Sequence, residues 1–300
     1  MSKRLKANFL MLFTAMIWGF AFVAQLLGFD YMGALSFNAV RFLIGALSLI
    51  PVILIFEGLK VESKKFKHTI IAGVVAGLIL FTASTLQQYG IQLTQSAGKA
   101  GFITGLYTVI VPFIAVFFGK KTQFNTWIGA VIVVVGLYFL SFSNGISSVG
   151  IGDLVLFIGA IMWAMHIIFI DLNGDKIYSL RFAFTQFLTS SILSFICTFI
   201  FEDLTWQSII NARYPLLYAG LMSVGIAYTC QIIGQKHADP TSAAIILSFE
   251  SVFSALGEAV FFTFIMVNPD YVPLTAKNIL GCAIMFVGII ISQLNIKNKI

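Results

Sequence analysis

The chain has 300 residues, of which 59% are hydrophobic and only 10% charged, with mean hydropathy +0.97 and a formal net charge of +6. Soluble domains carry about 25% charged residues, so this chain cannot keep an ordinary wet surface and reads as one membrane domain. Its basic residues are scattered through short loops rather than gathered into a patch, which gives no support to nucleic-acid binding.

A helix needs about 20 mainly apolar residues to cross the hydrocarbon core. Ten such runs follow in order, at roughly 7–28, 34–56, 69–91, 97–118, 124–141, 151–171, 180–201, 214–235, 241–266 and 275–294. The basic start Met-Ser-Lys-Arg-Leu-Lys superficially resembles a secretory signal, but with nine similar runs behind it the first run reads as a transmembrane helix. Numbering the loops from the N-terminus, thirteen basic residues fall on one side, from Lys3, Arg4 and Lys6 to Lys297 and Lys299. Only three, Lys99, Arg213 and Lys277, fall on the other. The positive-inside rule then predicts cytoplasmic termini, an extracytoplasmic 142–150 loop and a multi-pass protein of the plasma membrane. Cys197, Cys230 and Cys282 lie inside spans without metal-like spacing and read as small buried residues.

The chain repeats itself. AMIWGFAF (15–22) matches AIMWAMHI (160–167), aligning Trp18 with Trp163. NAVRFLIG (38–45) matches YSLRFAFT (178–185), aligning Arg41 with Arg181. SAGKAGFITGLYTVIVPF (96–113) matches DPTSAAIILSFESVFSAL (239–256), at offsets of 145, 140 and 143 for the three pairs. Two units follow, 1–145 and 146–300, each of five spans. Five is odd, so the second enters from the opposite side. The expected fold is an all-α integral membrane protein of ten transmembrane helices in two inverted five-helix repeats, a recurring plan of secondary transporters. Duplication that serves packing alone would leave the same pattern.

Ten spans, the A-x-x-W opening of each half, the R-F pair in each second span and L-S-F-E-S in the ninth together resemble EamA-type members of the drug/metabolite transporter superfamily. The likeness covers nearly the whole chain. It departs in two places. The usual L-E-P is here Phe249-Glu250-Ser251, and Val267-Asn268-Pro269-Asp270 replaces a glycine-glutamate pair. The resemblance implies a carrier of amino acids or similar small metabolites, usually directed outward, with a cavity lined by the third, fourth, eighth and ninth spans.

The acids of the ninth span carry the sharpest question. Glu250 and Glu258 have no basic residue within ten positions, and an acid at mid-bilayer costs roughly 2.5–3.5 kcal/mol on insertion scales. Asp239 is a plausible N-cap with Pro240 at the first helical position, which puts Glu250 about two and a half turns in. Ser251, Ser254 and Glu258 form a polar stripe. Glu250 and Glu258 are candidates for proton coupling, since a carboxyl that takes up a proton in one state and releases it in another links a gradient to substrate movement. Structural acids bonded to a neighbouring helix would show the same sequence.

Gln88 and Gln231 align between the halves, in the runs Thr85, Gln88, Gln92 and Tyr228, Gln231, Gln235. Amides offer donors and acceptors that suit a zwitterion or heterocycle, and equally suit interhelical bonds. Tyr107 matches Glu250 across the repeat. The candidate substrate site is thus Gln88, Tyr107, Tyr228, Gln231 and Glu250, with Trp18, Trp163 and Arg41 as candidate gates. Pro112 predicts a kink in the fourth span, and Gly73/Gly77 and Gly101/Gly105 predict close helix packing. Lys99 either attracts a carboxylate or snorkels, and His166 is a proton carrier or a hydrogen-bonded core residue.

The expected function is secondary transport by alternating access, exporting a small molecule across the lipid bilayer without cofactor or metal. No Walker-type phosphate loop is present. The alternative is a membrane-embedded enzyme or a channel. Neither H-E-x-x-H nor G-x-S-x-G occurs, and no ring of repeated polar residues stands out. Nothing in the sequence sets an oligomeric state.

Overall fold

The computed structural model describes residues 3–119, 122–141, 150–266 and 275–294. Residues 142–149 of the 142–150 loop, the boundary at 145/146, Val267-Asn268-Pro269-Asp270 and the basic residues Lys120, Lys121, Lys297 and Lys299 lie outside them.

Every regular element among the described residues is helical. Eight helices are long and apolar enough to cross a membrane: α1 (Lys3–Gly28), α2 (Ala34–Phe56), α3 (Ser63–Thr94), α4 (Ala97–Phe117), α6 (Ile151–Lys176), α7 (Ser179–Phe201), α8 (Arg213–Gln235) and α9 (Pro240–Ile265). Two shorter apolar helices, α5 (Phe124–Ser141) and α10 (Ala276–Gln293), complete the set, and a one-turn helix, Trp206–Asn211, precedes α8. Large apolar side chains such as Phe117, Phe199 and Phe264 stand exposed on the outer surface, as a protein surrounded by lipid requires. The protein is a multi-pass membrane protein.

Helix ends obey local rules. The Asp239 carboxylate accepts from Ser242 N at 2.8 Å with Pro240 in the first turn. Ser96 Oγ accepts from Lys99 N at 3.2 Å at the start of α4. α3 begins six residues earlier than its apolar run, because Lys64, Lys65 and Lys67 add a solvated turn that hydropathy alone does not register.

Packing exchanges partners along the chain. α1 lies against α8 and α9, whereas α6 lies against α3 and α4. α2 pairs with α7, and α5 with α10. Small residues set the distances. A Cβ on Gly77 would come within 2.5 Å of Thr189 Cβ, and one on Gly129 within 2.6 Å of the Gly288 carbonyl. A Cβ on Gly288 would in turn approach the Gly129 carbonyl to 2.8 Å.

Two spans are interrupted at matching places. α4 breaks at Leu106, between Gly105 and Tyr107, and α9 at Ser248-Phe249, just before Glu250. At both breaks the chain tightens to bonds three residues apart, Val109 N to Leu106 O at 3.1 Å and Val252 N to Phe249 O at 3.0 Å. The kink expected near the cavity from the bond that Pro112 cannot make to the Thr108 carbonyl falls at Leu106, two residues before Thr108. The proline ring crowds the preceding turn, and α9 breaks at the aligned position with no proline at all. There the Ser248 hydroxyl donates back to the Ile245 carbonyl at 2.8 Å, a competing bond that bends helices.

The reciprocal glycine contact between α5 and α10 yields a stability prediction. Gly129→Val should destabilise the protein by about 1–3 kcal/mol through overpacking, read as a lower midpoint in denaturant titration of detergent-solubilised protein. An unchanged midpoint would mean α5 and α10 are free to separate.

Candidate functional site

Both parts of the chain converge on one narrow central cavity, lined among others by Trp18, Arg41, Gln87, Tyr107, Trp163, Tyr228 and Glu250. About 20 Å³ is open to the centre of a water-sized sphere, room for little more than one water. The cavity is narrow around its polar groups. α1, α2, α3, α4, α6, α8 and α9 all contribute to its wall, so α1, α2 and α6 join the four spans that the family resemblance implied.

The chain brings its aromatic candidates together. The Trp18 ring lies 4.6 Å from that of Tyr228 and 6.4 Å from that of Trp163, and Trp163 stacks on Tyr228 at 6.0 Å. Trp18 Nε1 donates to the Ser223 carbonyl at 3.3 Å. Ser223 lies in Tyr218–Tyr228, where α8 is wound with π-helical bonds, a winding frequent at functional sites.

Glu250 is almost fully buried. The Tyr107 hydroxyl faces it from the matching break in α4, yet neither that hydroxyl nor Glu250 Oε1 completes a hydrogen bond of good geometry. Arg41 is also buried, with its guanidinium 4.9 Å above the Phe42 ring.

Glu258 is placed differently. Its Oε2 accepts from Gly98 N at 2.6 Å, in the first turn of α4, where the exposed N–H groups and the helix dipole favour an acid. Ser254 donates to the Ala97 carbonyl at 2.9 Å and Ser251 to the Gly101 carbonyl at 2.6 Å. The polar stripe of α9 is used as a ladder onto the α4 backbone.

Gln88 and Gln231 are buried but are not among the residues lining the cavity. Gln88 Nε2 donates to the Gln25 carbonyl at 3.3 Å. Its neighbour Gln87 reaches the cavity instead, with Nε2 3.4 Å from Thr104 Oγ1. Lys99 pairs with Asp153 at 2.8 Å, and His166 Nε2 lies 3.0 Å from Gln186 Oε1.

Comparison with known proteins sets this geometry in a family. The sequence pattern of the EamA-like transporter family matches residues 5–142 and again 150–294. The chain belongs to the EamA-like transporter family. It is 29% identical over 259 residues to an uncharacterized transporter of Archaeoglobus fulgidus, covering 85% of this chain and 77% of that one. It is 24% identical over 294 residues to the uncharacterized transporter YoaV of Bacillus subtilis, covering 95% of each. A solved crystal structure shares the fold, with a TM-score of 0.75 at 16% identity over 96% of each chain.

This EamA-like transporter holds a further pair of acids that sequence reasoning missed. Glu202, just past the end of α7, accepts from Leu35 N at 3.0 Å, Ser36 N at 2.8 Å and Ser36 Oγ at 2.7 Å, capping α2. Glu57, just past the end of α2, accepts from Leu180 N at 2.9 Å and Arg181 N at 3.3 Å, capping α7. Arg181 Nε lies 3.5 Å from Glu57, and its Nη2 donates to the Gly58 carbonyl. The two antiparallel helices thus clasp each other at both ends. The signal was present as Ile55-Phe56-Glu57 against Ile200-Phe201-Glu202, a repeat at offset 145. At the Glu57 end, burial and then Lys65 lower the Lys236 ammonium below its ordinary value, while Asp175 and Glu57 pull it up.

Loss of one clasp should be measurable. Glu202→Ala should cost about 1 kcal/mol, the usual price of a helix cap, and should speed reaction of a cysteine placed at Leu35 with a membrane-impermeant maleimide. An unchanged labelling rate would show that Glu202 does not hold this end closed.

Proposed function

We propose that this EamA-like transporter is a secondary carrier that moves small metabolites such as amino acids outward across the plasma membrane by alternating access, with Glu250 coupling movement to protons. The observation that carries the reading is the central cavity, built from both parts of the chain, with Glu250 and Tyr107 each placed directly after the break in its own span. The exchanged packing of α1 and α6, together with the reciprocal Glu57 and Glu202 clasps, supports ten spans in two inverted five-helix repeats. α5 and α10 are each 18 residues long, about 27 Å of helix, close to the ~30 Å core they must cross. The Glu57 clasp closes one side and the Glu202 clasp the other. Release of one at a time would open the cavity alternately, with Trp18, Trp163 and Tyr228 sealing the middle.

The orientation rests on charge. With the basic loops inside, Lys60 faces the cytoplasm and Asp203 the exterior. A cysteine at Asp203 should react with an impermeant reagent added to intact cells and one at Lys60 should not; the opposite pattern would invert the orientation.

Glu250→Gln mimics the protonated acid. It should abolish uptake driven by an imposed pH gradient in proteoliposomes while retaining substrate binding and exchange. Glu258→Gln, whose oxygen is engaged with Gly98, should do less. Full gradient-driven transport by Glu250→Gln would make the acid structural.

A further inference from the structure

Among the described residues no acid forms an ion pair with Arg41. Its side chain is 2% exposed, and its Nε and Nη2 have no hydrogen-bond partner. These two nitrogens form one edge of the guanidinium, whose parallel N–H groups match the two oxygens of a carboxylate. The flat face is occupied by Phe42 at 4.9 Å, and Phe37 lies 5.9 Å away. Stacking fixes the plane and leaves the fork as the recognition surface. Arg41 lines the same cavity as Glu250 and the aromatic cluster.

A buried cation with an empty fork is expensive unless an anion completes it. Glu250 does not, since Arg41 Nε and Nη2 make no hydrogen bond to it, and its own Oε1 is also without a partner among the described residues. Two opposite groups in one cavity, both incomplete, describe a site whose remaining partners arrive with the ligand.

We propose that Arg41 is the specificity-determining residue of the central cavity and binds the carboxylate of the transported molecule edge-on. The ligand class is a small monocarboxylate whose body lies against Trp18 and Trp163. Where that body carries an ammonium group, Glu250 Oε1 accepts from it. A phosphate ester fits less well, since one guanidinium must then balance a dianion beside an acid. This inference rests on the transport reading for its site but is tested by binding alone.

The test measures thermal shifts of the detergent-solubilised wild-type protein against a panel of L-amino acids and simple monocarboxylates. Each is paired with its primary amide and its decarboxylated amine, and inorganic phosphate is included. Carboxylates are expected to stabilise the protein, with the matched amides and amines weaker by roughly 10- to 100-fold, the worth of a charge-assisted bond. Arg41→Met should remove the carboxylate response, and Arg41→Lys should restore it only in part because the fork is lost. Arg41→Met without ligand should melt no lower than wild type, since it removes an unbalanced charge. Equal binding of amides, a response to phosphate alone, or no carboxylate-dependent response in the panel would overturn the proposal. So would an Arg41→Met protein that melts lower and still binds carboxylates. Carboxylate binding without counterflow in proteoliposomes would instead count against transport and leave the Arg41 assignment standing.

Discussion

Hydrocarbon withholds the hydrogen bonds that water would supply, so a polar side chain on a spanning helix must reach a partner inside the protein. In this chain the partner is repeatedly the backbone of another helix. Thr14 donates to the Ala227 carbonyl at 3.0 Å, Thr108 to that of Ala244 at 3.1 Å and Ser191 to that of Ala39 at 2.8 Å. Each bond joins the earlier part of the chain to the later part. Glu57, Glu202 and Glu258 follow the same rule with a charged acceptor at a helix N-terminus, where free N–H groups would otherwise be unsatisfied. Close approach is what makes such reach possible, and glycines at the α2–α8, α3–α7 and α5–α10 contacts provide it.

Against that background the central cavity stands out by its deficits. Unpartnered atoms occur elsewhere, at Asn38, Gln186 and Arg181 Nε for example, but Asn38 and Gln186 are neutral and Arg181 lies beside Glu57. Arg41 and Glu250 are charge-bearing groups, left incomplete within one cavity. Glu57, Glu202 and Glu258 each find backbone donors, whereas these two are kept at a cost in stability, which is the usual mark of a site shaped by function rather than by folding.

Much of the architecture was legible from hydropathy, because lipid imposes a single length and polarity on a span. All ten runs appear as helices, with α3 extended by a lysine-rich turn that no hydropathy window detects. The alignment of Tyr107 with Glu250 and of Trp18 with Trp163 anticipated residues that meet at the centre. Which of two adjacent amides faces the cavity was not legible. Gln87 and Gln88 differ by about 100° around the helix, and rotation is set by packing against α6 and α7 rather than by local sequence. The proline of α4 is a visible signal for a kink near the cavity, whereas the serine bond at the break in α9 is not. Glu57 and Glu202 escaped notice because an acid just after a span reads as an ordinary loop residue until the helix it caps is known.

Glu250 and Glu258 look alike in sequence, and their surroundings separate them. Glu258 lies against the first turn of α4, where Gly98 N supplies a donor and the Lys99 side chain turns away to Asp153. Its oxygen is committed, and moving it would open the start of α4. Glu250 follows a break in its own helix and faces the Tyr107 hydroxyl without completing a hydrogen bond through Oε1. At that break α9 is held by bonds three residues apart instead of the regular ladder, and α4 is held likewise at Leu106 beside Tyr107. An acid whose partners are incomplete, placed where two helices can bend, can change its surroundings without dismantling a helix end. That combination, rather than the presence of a carboxylate in a span, marks Glu250 as the acid suited to a cycle.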